Sequence, residues 1–397
     1  MYNKKINIAL VVQNNSYPFD SRVFKEANSL KSGGFNVFVV SPRSKRDNSS
    51  FEVLNGINVY RYKDNQSKGS FFGFIFEYMT SLIKIFLYVT YLVLFKKIKI
   101  VHFANPPDFF WPLSYFIKIF GVKSIYDQHD LAPELYKMKF KNKFILKLLY
   151  LNEKLMVRSS NAIIVVNESF KNRLNEKWNI QNKKCSIIYN GPLDEFKAKE
   201  NSELINEYKN KKVVLYVGLM AITDNIDFII ELAESIVINF NKKDIKFVLL
   251  GDGDIRNEME RIAKKRNLSE FIEFKGNVSQ NSVMEYLYVA DICIAPDMPN
   301  NLNEFLTLVK VFEYMKAEKA FVSFDLDETK RIAKDAGIYA ENKEDFVNKV
   351  IYLLDNPEYS RELGKKGNKI IEDQYLWKYF DNELINTYFT LLYSDKK

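Results

Sequence analysis

The chain has 397 residues, 47% of them hydrophobic and 27% charged, so it is long enough for two ordinary domains and too apolar for disorder. Two cysteines (Cys185, Cys293) and two histidines (His102, His129) exclude a disulfide framework and a histidine-based zinc site, and fit a reducing compartment. The charge is uneven: residues 1–195 carry 29 Lys and Arg against 15 Asp and Glu, the remainder 29 against 35. That asymmetry points to an anionic partner for the first half. No zinc-finger spacing, RNP-like motif or basic-helix pattern supports nucleic acid, so an anionic membrane surface is the expected partner.

Ile6 to Val12 is an apolar run at the short limit for a signal peptide, and Gln13 to Ser16 offers no small-residue cleavage site. It reads as the first strand of a parallel sheet. Asp20 to Leu30 reads as a helix from the spacing of Val23, Ala27 and Leu30, with Asp20 as its cap and Arg22 and Glu26 four apart. Gly33 and Gly34 end it, and Asn36 to Val40 is the second strand. Strand, helix, strand in that order predicts a doubly wound α/β domain.

Residues 71–95 are the most hydrophobic segment and long enough to span a bilayer. Glu77 and Lys84 lie inside it, each costing about 2.5–3.5 kcal/mol at mid-bilayer. A span would also separate the strands before it from the strand at Ile98 to Phe103. The expectation is a buried helix pair or an interfacial amphipathic surface flanked by Lys96, Lys97 and Lys99, partly core and partly membrane-facing.

His102 to Asp108 and Ser124 to Glu134 each place polar residues at the carboxyl end of a strand, where open α/β sheets bind ligands. Both histidines of the chain sit at such ends. Ala162 to Val166 and Ser186 to Pro192 complete a first domain over residues 1–195. Polar, charged residues from Pro192 to Lys211 form the connection. A second parallel sheet is predicted from Lys212 to Gly218, Ile245 to Gly253 and Ala290 to Pro296, giving a second domain over 196–374. Residues 375–397 form a final, aromatic-rich helix.

The segment from Asn303 to Glu328 carries the chemistry. Leu308, Val311, Phe312 and Met315 make one apolar helical stripe, Thr307 stands at the expected N-cap, and Lys310 and Glu313 share a different face. A helix start with a hydroxyl and a lysine is an anion site, and a carboxylate one turn deeper suits a vicinal diol. Diphosphate plus diol describes a nucleotide-sugar.

Lys310-x-x-Glu313-Tyr-Met, followed by a strand and Phe324-Asp325-Leu326-x-Glu328, resembles the donor-site segment of family 4 glycosyltransferases. Asp20-x-Arg22-Val23-x-x-Glu26-Ala27 resembles that family's first helix. Gly251-x-Gly253, Gly276-Asn-Val278 and Asp291 to Pro296 fall in the family's order and spacing. The chain departs from the pattern at Phe305, where a glutamate is usual, and between Leu219 and Asp227, where a basic pair is usual.

The resemblance implies a GT-B fold, two Rossmann-like domains facing each other across a cleft, with the last helix returning to the first domain. It implies a retaining transferase moving a sugar from a nucleotide-diphosphate sugar to a lipid-linked or polysaccharide acceptor, with no metal or other cofactor required. Glu313 would hold the ribose, Lys310 would meet the diphosphate, and His129 would contact the donor sugar near the reacting centre. Gly218, Gly251, Gly253, Gly276, Val278 and Thr307 would complete the donor side; Asp20, Arg22, Asn105, Asp130 and Glu134 would face the acceptor. The expected location is cytoplasmic, peripheral on the inner face of the cell membrane. A nucleotide-sugar 2-epimerase and a catalytically inactive relative acting as a membrane-bound partner are the competing readings.

Overall fold

The alternation of short apolar runs with amphipathic stretches becomes two parallel sheets in the computed structural model, which describes residues 5–44, 47, 49–64, 71–180 and 184–393. The chain divides into two compact units, Met1–Asn190 with Lys378–Lys397, and Gly191–Trp377. The boundaries expected at 195/196 and 374/375 therefore fall at 190/191 and 377/378. The final helix is Trp377–Tyr393, while Tyr375 stays with the second unit, its ring 5.4 Å from that of Phe312.

The first unit holds strands β1 (Asn7–Val11), β2 (Asn36–Pro42), β3 (Phe51–Leu54), β4 (Ile57–Tyr62), β5 (Ile100–Ala104), β6 (Lys123–Gln128), β7 (Ala162–Val165) and β8 (Lys184–Ile187). They lie in the order β3-β4-β2-β1-β5-β6-β7-β8, parallel throughout except for the β3–β4 hairpin. Ile8 pairs with both Val37 and Ile100, so β1 has a strand on either side, and its residues from Ile8 to Val11 are all buried. That is why its residues are continuously apolar rather than alternating. The chain leaves β1 toward β2 on one side and later places β5 on the other. The carboxyl ends of β1 and β5 thus flank the topological switch point, where this class of sheet opens a crevice.

Residues Phe71–Lys96 form one continuous helix of 26 residues, so of the two readings the helix pair is not formed. Ile85, Val89 and Leu92 recur at helical spacing and are fully buried as the helix packs on β1, β2 and β4. The stretch Phe76–Lys96 is long and apolar enough to cross a membrane, yet only 28% of its most apolar window is buried. The strands on either side of it nevertheless share one sheet, with β1 paired to β5. Its outer face exposes Ile83, Leu87, Leu94 and Phe95. The helix Trp111–Lys118 adjoins it through the Phe86–Phe116 ring contact at 4.8 Å, and the helix Lys143–Ser159 adjoins Trp111–Lys118 in turn through the Trp111 indole donating to Asn152 at 2.9 Å. These add exposed Ile119, Phe120, Phe144, Leu148 and Leu151 to the same unit's surface.

The second unit holds β9 (Lys212–Val217), β10 (Ile245–Leu250), β11 (Ile272–Gly276), β12 (Ile292–Ala295), β13 (Phe321–Phe324) and β14 (Ile338–Ala340), all parallel in the order β11-β10-β9-β12-β13-β14. Its core joins Val214, Phe228, Phe247, Ile294, Phe324 and Phe346. The switch point here lies between β9 and β12. The loop after β9 carries Gly218 and the segment after β12 carries Thr307, Lys310 and Glu313; Gly251 and Gly253 follow β10, and Gly276 and Val278 lie at the end of β11.

Candidate active site

In the first unit, the buried polar groups of the switch point form one cluster. The helix Ser21–Ser32 starts where the Asp20 carboxylate caps it, accepting the Val23 N–H at 2.9 Å. This fixes Arg22 in the first turn, aimed inward and 4% exposed. Its guanidinium meets Glu26 at 3.1 Å and Asp127 at 3.1 Å and donates to the Ile188 carbonyl at 2.8 Å. Asp127, near the end of β6, has Oδ2 2.5 Å from His129 Nε2 and 3.1 Å from His102 Nε2. The other ring nitrogen of His102 lies 2.7 Å from the hydroxyl of Tyr388, on the final helix.

Charge in this cluster is divided by environment. Burial raises the Asp127 carboxyl, but Arg22 and His129 outweigh it and hold Asp127 well below the usual range. Burial and then the neighbouring Asp127 charge push Glu26 well above its ordinary value, favouring its neutral form. Burial lowers His102. Glu26, Asp127 and His129 bring ligand atoms within 4.8 Å of one another, a spacing compatible with a cation. The guanidinium of Arg22 already contacts both carboxylates and supplies that charge.

Asn105 fixes the loop that carries His129. Its carbonyl oxygen accepts the N–H groups of His129 and Asp130 at 2.5 and 3.0 Å, and its amide donates to Asp108 and to the Asp130 carbonyl. Asn105 is thus a scaffold rather than a free acceptor-side group. Asp130 is exposed beside it, and His129 is 13% exposed. Glu134 does not have the role expected of it. Arg173 reaches its two oxygens at 2.9 and 2.7 Å, Lys177 adds a third bond at 2.8 Å, and the carboxylate is buried. Against the effect of burial, those cations depress its pKa and leave no oxygen open to an acceptor.

In the second unit the helix expected to meet the donor is Val309–Lys316, and Leu308 occupies the N-cap with extended backbone and no side-chain cap. Thr307 therefore lies one residue outside the cap, a correction to the expected start: the apolar Leu308 enters the core and the helix begins after it. Leu308 offers no side-chain cap, and its carbonyl accepts the Val311 N–H at 2.9 Å within the first turn. Lys310 is the second helical residue. Its ammonium donates to Asp297 at 2.8 Å and lies 4.8 Å from the centre of the Tyr216 ring. Asp224, in the turn Ile222–Asp224, is raised by burial, an effect that Lys310 opposes and Asp297 reinforces. Glu313 follows one turn after Lys310 and is half-buried.

The glycines hold these loops together. Gly251 has φ of +130°, and a Cβ there would stand 1.8 Å from the Gly218 carbonyl oxygen; one on Gly253 would meet that of Met220 at 2.3 Å. A Cβ on Gly218 would come within 3.3 Å of Lys310 Cε. These residues let the loops after β9 and β10 lie against each other beside Lys310. Gly276 ends β11, and Val278 sits half-buried two residues on, in a different loop. Lys310, Gly218 and the Gly251 loop are thus gathered at one switch point; Arg22, Asn105 and His129 at the other.

Sequence reasoning missed Asp127, Tyr388, Asp297 and Tyr216. Asp127 was legible: two residues before His129 at the end of a strand, it shares that residue's side of the sheet. Tyr388 and Asp297 left no local signal.

Residues 21–192 match the family model described as Glycosyltransferase Family 4, and residues 197–370 that described as Glycosyl transferases group 1. An uncharacterized glycosyltransferase of Methanocaldococcus jannaschii is 27% identical over 55% of this chain and 57% of its own length, so the alignment spans little more than half of that relative. Among solved structures, sucrose-phosphate synthase from Thermosynechococcus elongatus superposes with a TM-score of 0.78 at 14% identity, covering 98% of this chain and 100% of that one. HepE from Anabaena in complex with UDP-glucose gives 0.73 at 10% identity, covering 97% and 100%.

Proposed function

Because the chain belongs to the GT-B glycosyltransferases, we propose that it moves a sugar from a nucleotide-diphosphate sugar to a hydroxyl of a lipid-linked or polysaccharide acceptor, with retention of configuration. The observation that carries this reading is the uncapped start of the helix Val309–Lys316, with Lys310 in its first turn and Glu313 one turn on. First-turn N–H groups and an ammonium suit the diphosphate, and a carboxylate suits the ribose diol. The UDP-glucose held by HepE supports a donor of this class. Lys310 and the helix start stabilise the charge that develops on the leaving diphosphate. The donor is a substrate, and the reading calls for no resident cofactor. His129 serves the sugar end of the reaction, and Arg22 and Asn105 act behind it.

The reading includes a place for the enzyme. The exposed apolar residues of three adjoining helices in the first unit, with Lys97, Lys143 and Lys147 exposed around them, suit peripheral attachment to an anionic bilayer on the inner face of the cell membrane.

Donor hydrolysis and transfer, measured across a set of nucleotide-sugars with the parent and Glu313→Ala, test the proposal. The parent should turn over at least one donor, and Glu313→Ala should weaken its binding ten- to a hundredfold, the loss of a charge-assisted contact of about 1.5–3 kcal/mol. No turnover of any donor would overturn it, and a C2-isomerised sugar would make the enzyme an epimerase.

A further inference from the structure

His129 is held by an ionised carboxylate, and this decides which face of its ring is offered to substrate. Asp127 has no proton to give, so whatever contacts its oxygens must donate. Both His129 Nε2, at 2.5 Å, and His102 Nε2, at 3.1 Å, face the same Oδ2, so both rings carry hydrogen on Nε2. In His102, whose burial disfavours the charged form, Nδ1 is then a lone pair, and the Tyr388 hydroxyl at 2.7 Å donates to it. Tyr388 thereby prevents His102 from turning over. His102 and Arg22 together keep Asp127 charged, and Asp127 orients His129. The main chain of His129 is independently fixed by Asn105. Every group behind His129 is fully or almost fully buried, so the relay has no water to rearrange into.

We propose that Tyr388, His102 and Asp127 form a hydrogen-bond relay that holds His129 as the Nε2-protonated tautomer and presents its Nδ1 lone pair to a substrate hydroxyl. The proposal rests on the glycosyl-transfer reading above and deepens it. Within it His129 is an acceptor toward the sugar, and Asp127, His102 and Tyr388 are positioning residues.

The chain contains only two histidines, so a spectrum of protein labelled with 15N-histidine shows just the rings of His102 and His129. At about pH 8, where an ordinary imidazole is neutral, both should show hydrogen on Nε2 and a bare Nδ1. Asp127→Asn should invert His129. Arg22 claims the amide oxygen, the amide NH2 turns toward the rings, and Nε2 must become the lone pair, the same tautomer error that disables the serine-protease triad when its aspartate becomes asparagine. Glu26, 3.1 Å from the guanidinium, still faces Arg22 in that variant. Transfer should fall at least tenfold in kcat, with nucleotide affinity unchanged within twofold.

A His129 ring with hydrogen on Nδ1 in the parent protein would overturn the relay. So would an inverted tautomer that leaves transfer untouched. A parent protein showing both expected tautomers but no turnover of any donor would uphold the relay and count against the transfer reaction instead.

Discussion

Lys310 donates to Asp297 across 2.8 Å, with the lysine 9% exposed and the aspartate side chain 6%. The cation expected to receive a diphosphate is therefore already balanced by a carboxylate, and its ammonium is steadied by the Tyr216 ring. A diphosphate arriving here must share Lys310 with Asp297. The pair makes Lys310 a structural residue in addition to the diphosphate contact proposed for it.

Replacing Lys310 by alanine should consequently reduce stability together with donor binding. Breaking a buried pair from one side leaves an uncompensated charge and costs about 3–5 kcal/mol. Adding Asp297→Asn to Lys310→Ala should restore most of the stability and none of the affinity. Chemical denaturation midpoints and nucleotide-sugar titrations of the two variants separate the effects. A Lys310→Ala protein as stable as the parent would mean that Asp297 relaxes into solvent.

Asp108 should impose a pH dependence of its own. Burial, and secondarily the Glu153 charge, raise its carboxyl to about 7, while Tyr126 and Asn105 donate to it at 2.6 and 3.0 Å. A raised carboxyl binds more protons in the folded than in the unfolded chain between about pH 4 and pH 7, so its contribution to stability falls across that interval and is constant above it. Asp108→Asn keeps an oxygen for both donors and cannot ionise. Relative to the parent it should gain up to a few kcal/mol on going from pH 4 to 8, at about 1.4 kcal/mol per unit. Parallel stability curves for the two proteins would refute this.

Arg173 joins Glu134 and Glu153 in the interior, bonded to them at 2.7–2.9 Å. Arg173→Met should destabilise the protein by about 3–5 kcal/mol, because the two buried acids lose their principal cation. Glu134→Gln should be milder and should leave the KM for acceptor unchanged. A selective rise in that KM would return Glu134 to the acceptor site.

Leu87 and Leu94 are exposed on the long helix of the first unit, at 64% and 49%. If that face meets a bilayer, Leu87→Asp with Leu94→Asp should lower sedimentation with anionic vesicles at least tenfold. Each loses apolar burial of about 1.5–3 kcal/mol at most. Donor hydrolysis in solution should be unaffected. Binding that is unchanged in this variant, or indifferent to anionic lipid, would refute the assignment.

How far the sequence could be read follows from the range over which each signal acts. The α/β order was legible because buried strands and amphipathic helices announce themselves within ten residues, as Ile6 to Val12 and Asp20 to Leu30 do. Asp20 could be recognised as a cap for the same reason. The start of the donor helix was misplaced by one residue because Thr307 has the better capping chemistry, but the core claimed Leu308. The partners of Lys310, His102 and Glu134 were out of reach: Asp297, Tyr388 and Arg173 lie 13, 286 and 39 residues away. Only the folded sheet brings such groups together. A basic or acidic residue in a strand-end motif can be named from sequence, but whether it is free or already paired is a property of the tertiary structure.

The first unit is interrupted in sequence by the whole of the second and is finished only by residues beyond Trp377. On the ribosome it therefore emerges first and is completed last. At about 5–20 residues per second, the intervening unit takes roughly 10–40 s to make. Throughout that interval Phe35 lacks the ring of Tyr388, which lies 5.5 Å away in the finished protein, and His102 lacks its hydroxyl partner. The nascent chain thus presents an apolar seam and a half-solvated cluster of charges to chaperones and proteases. A chain ending upstream of the last helix lacks Tyr388, and with it the ring against Phe35 and the hydroxyl on His102, even with both sheets translated in full.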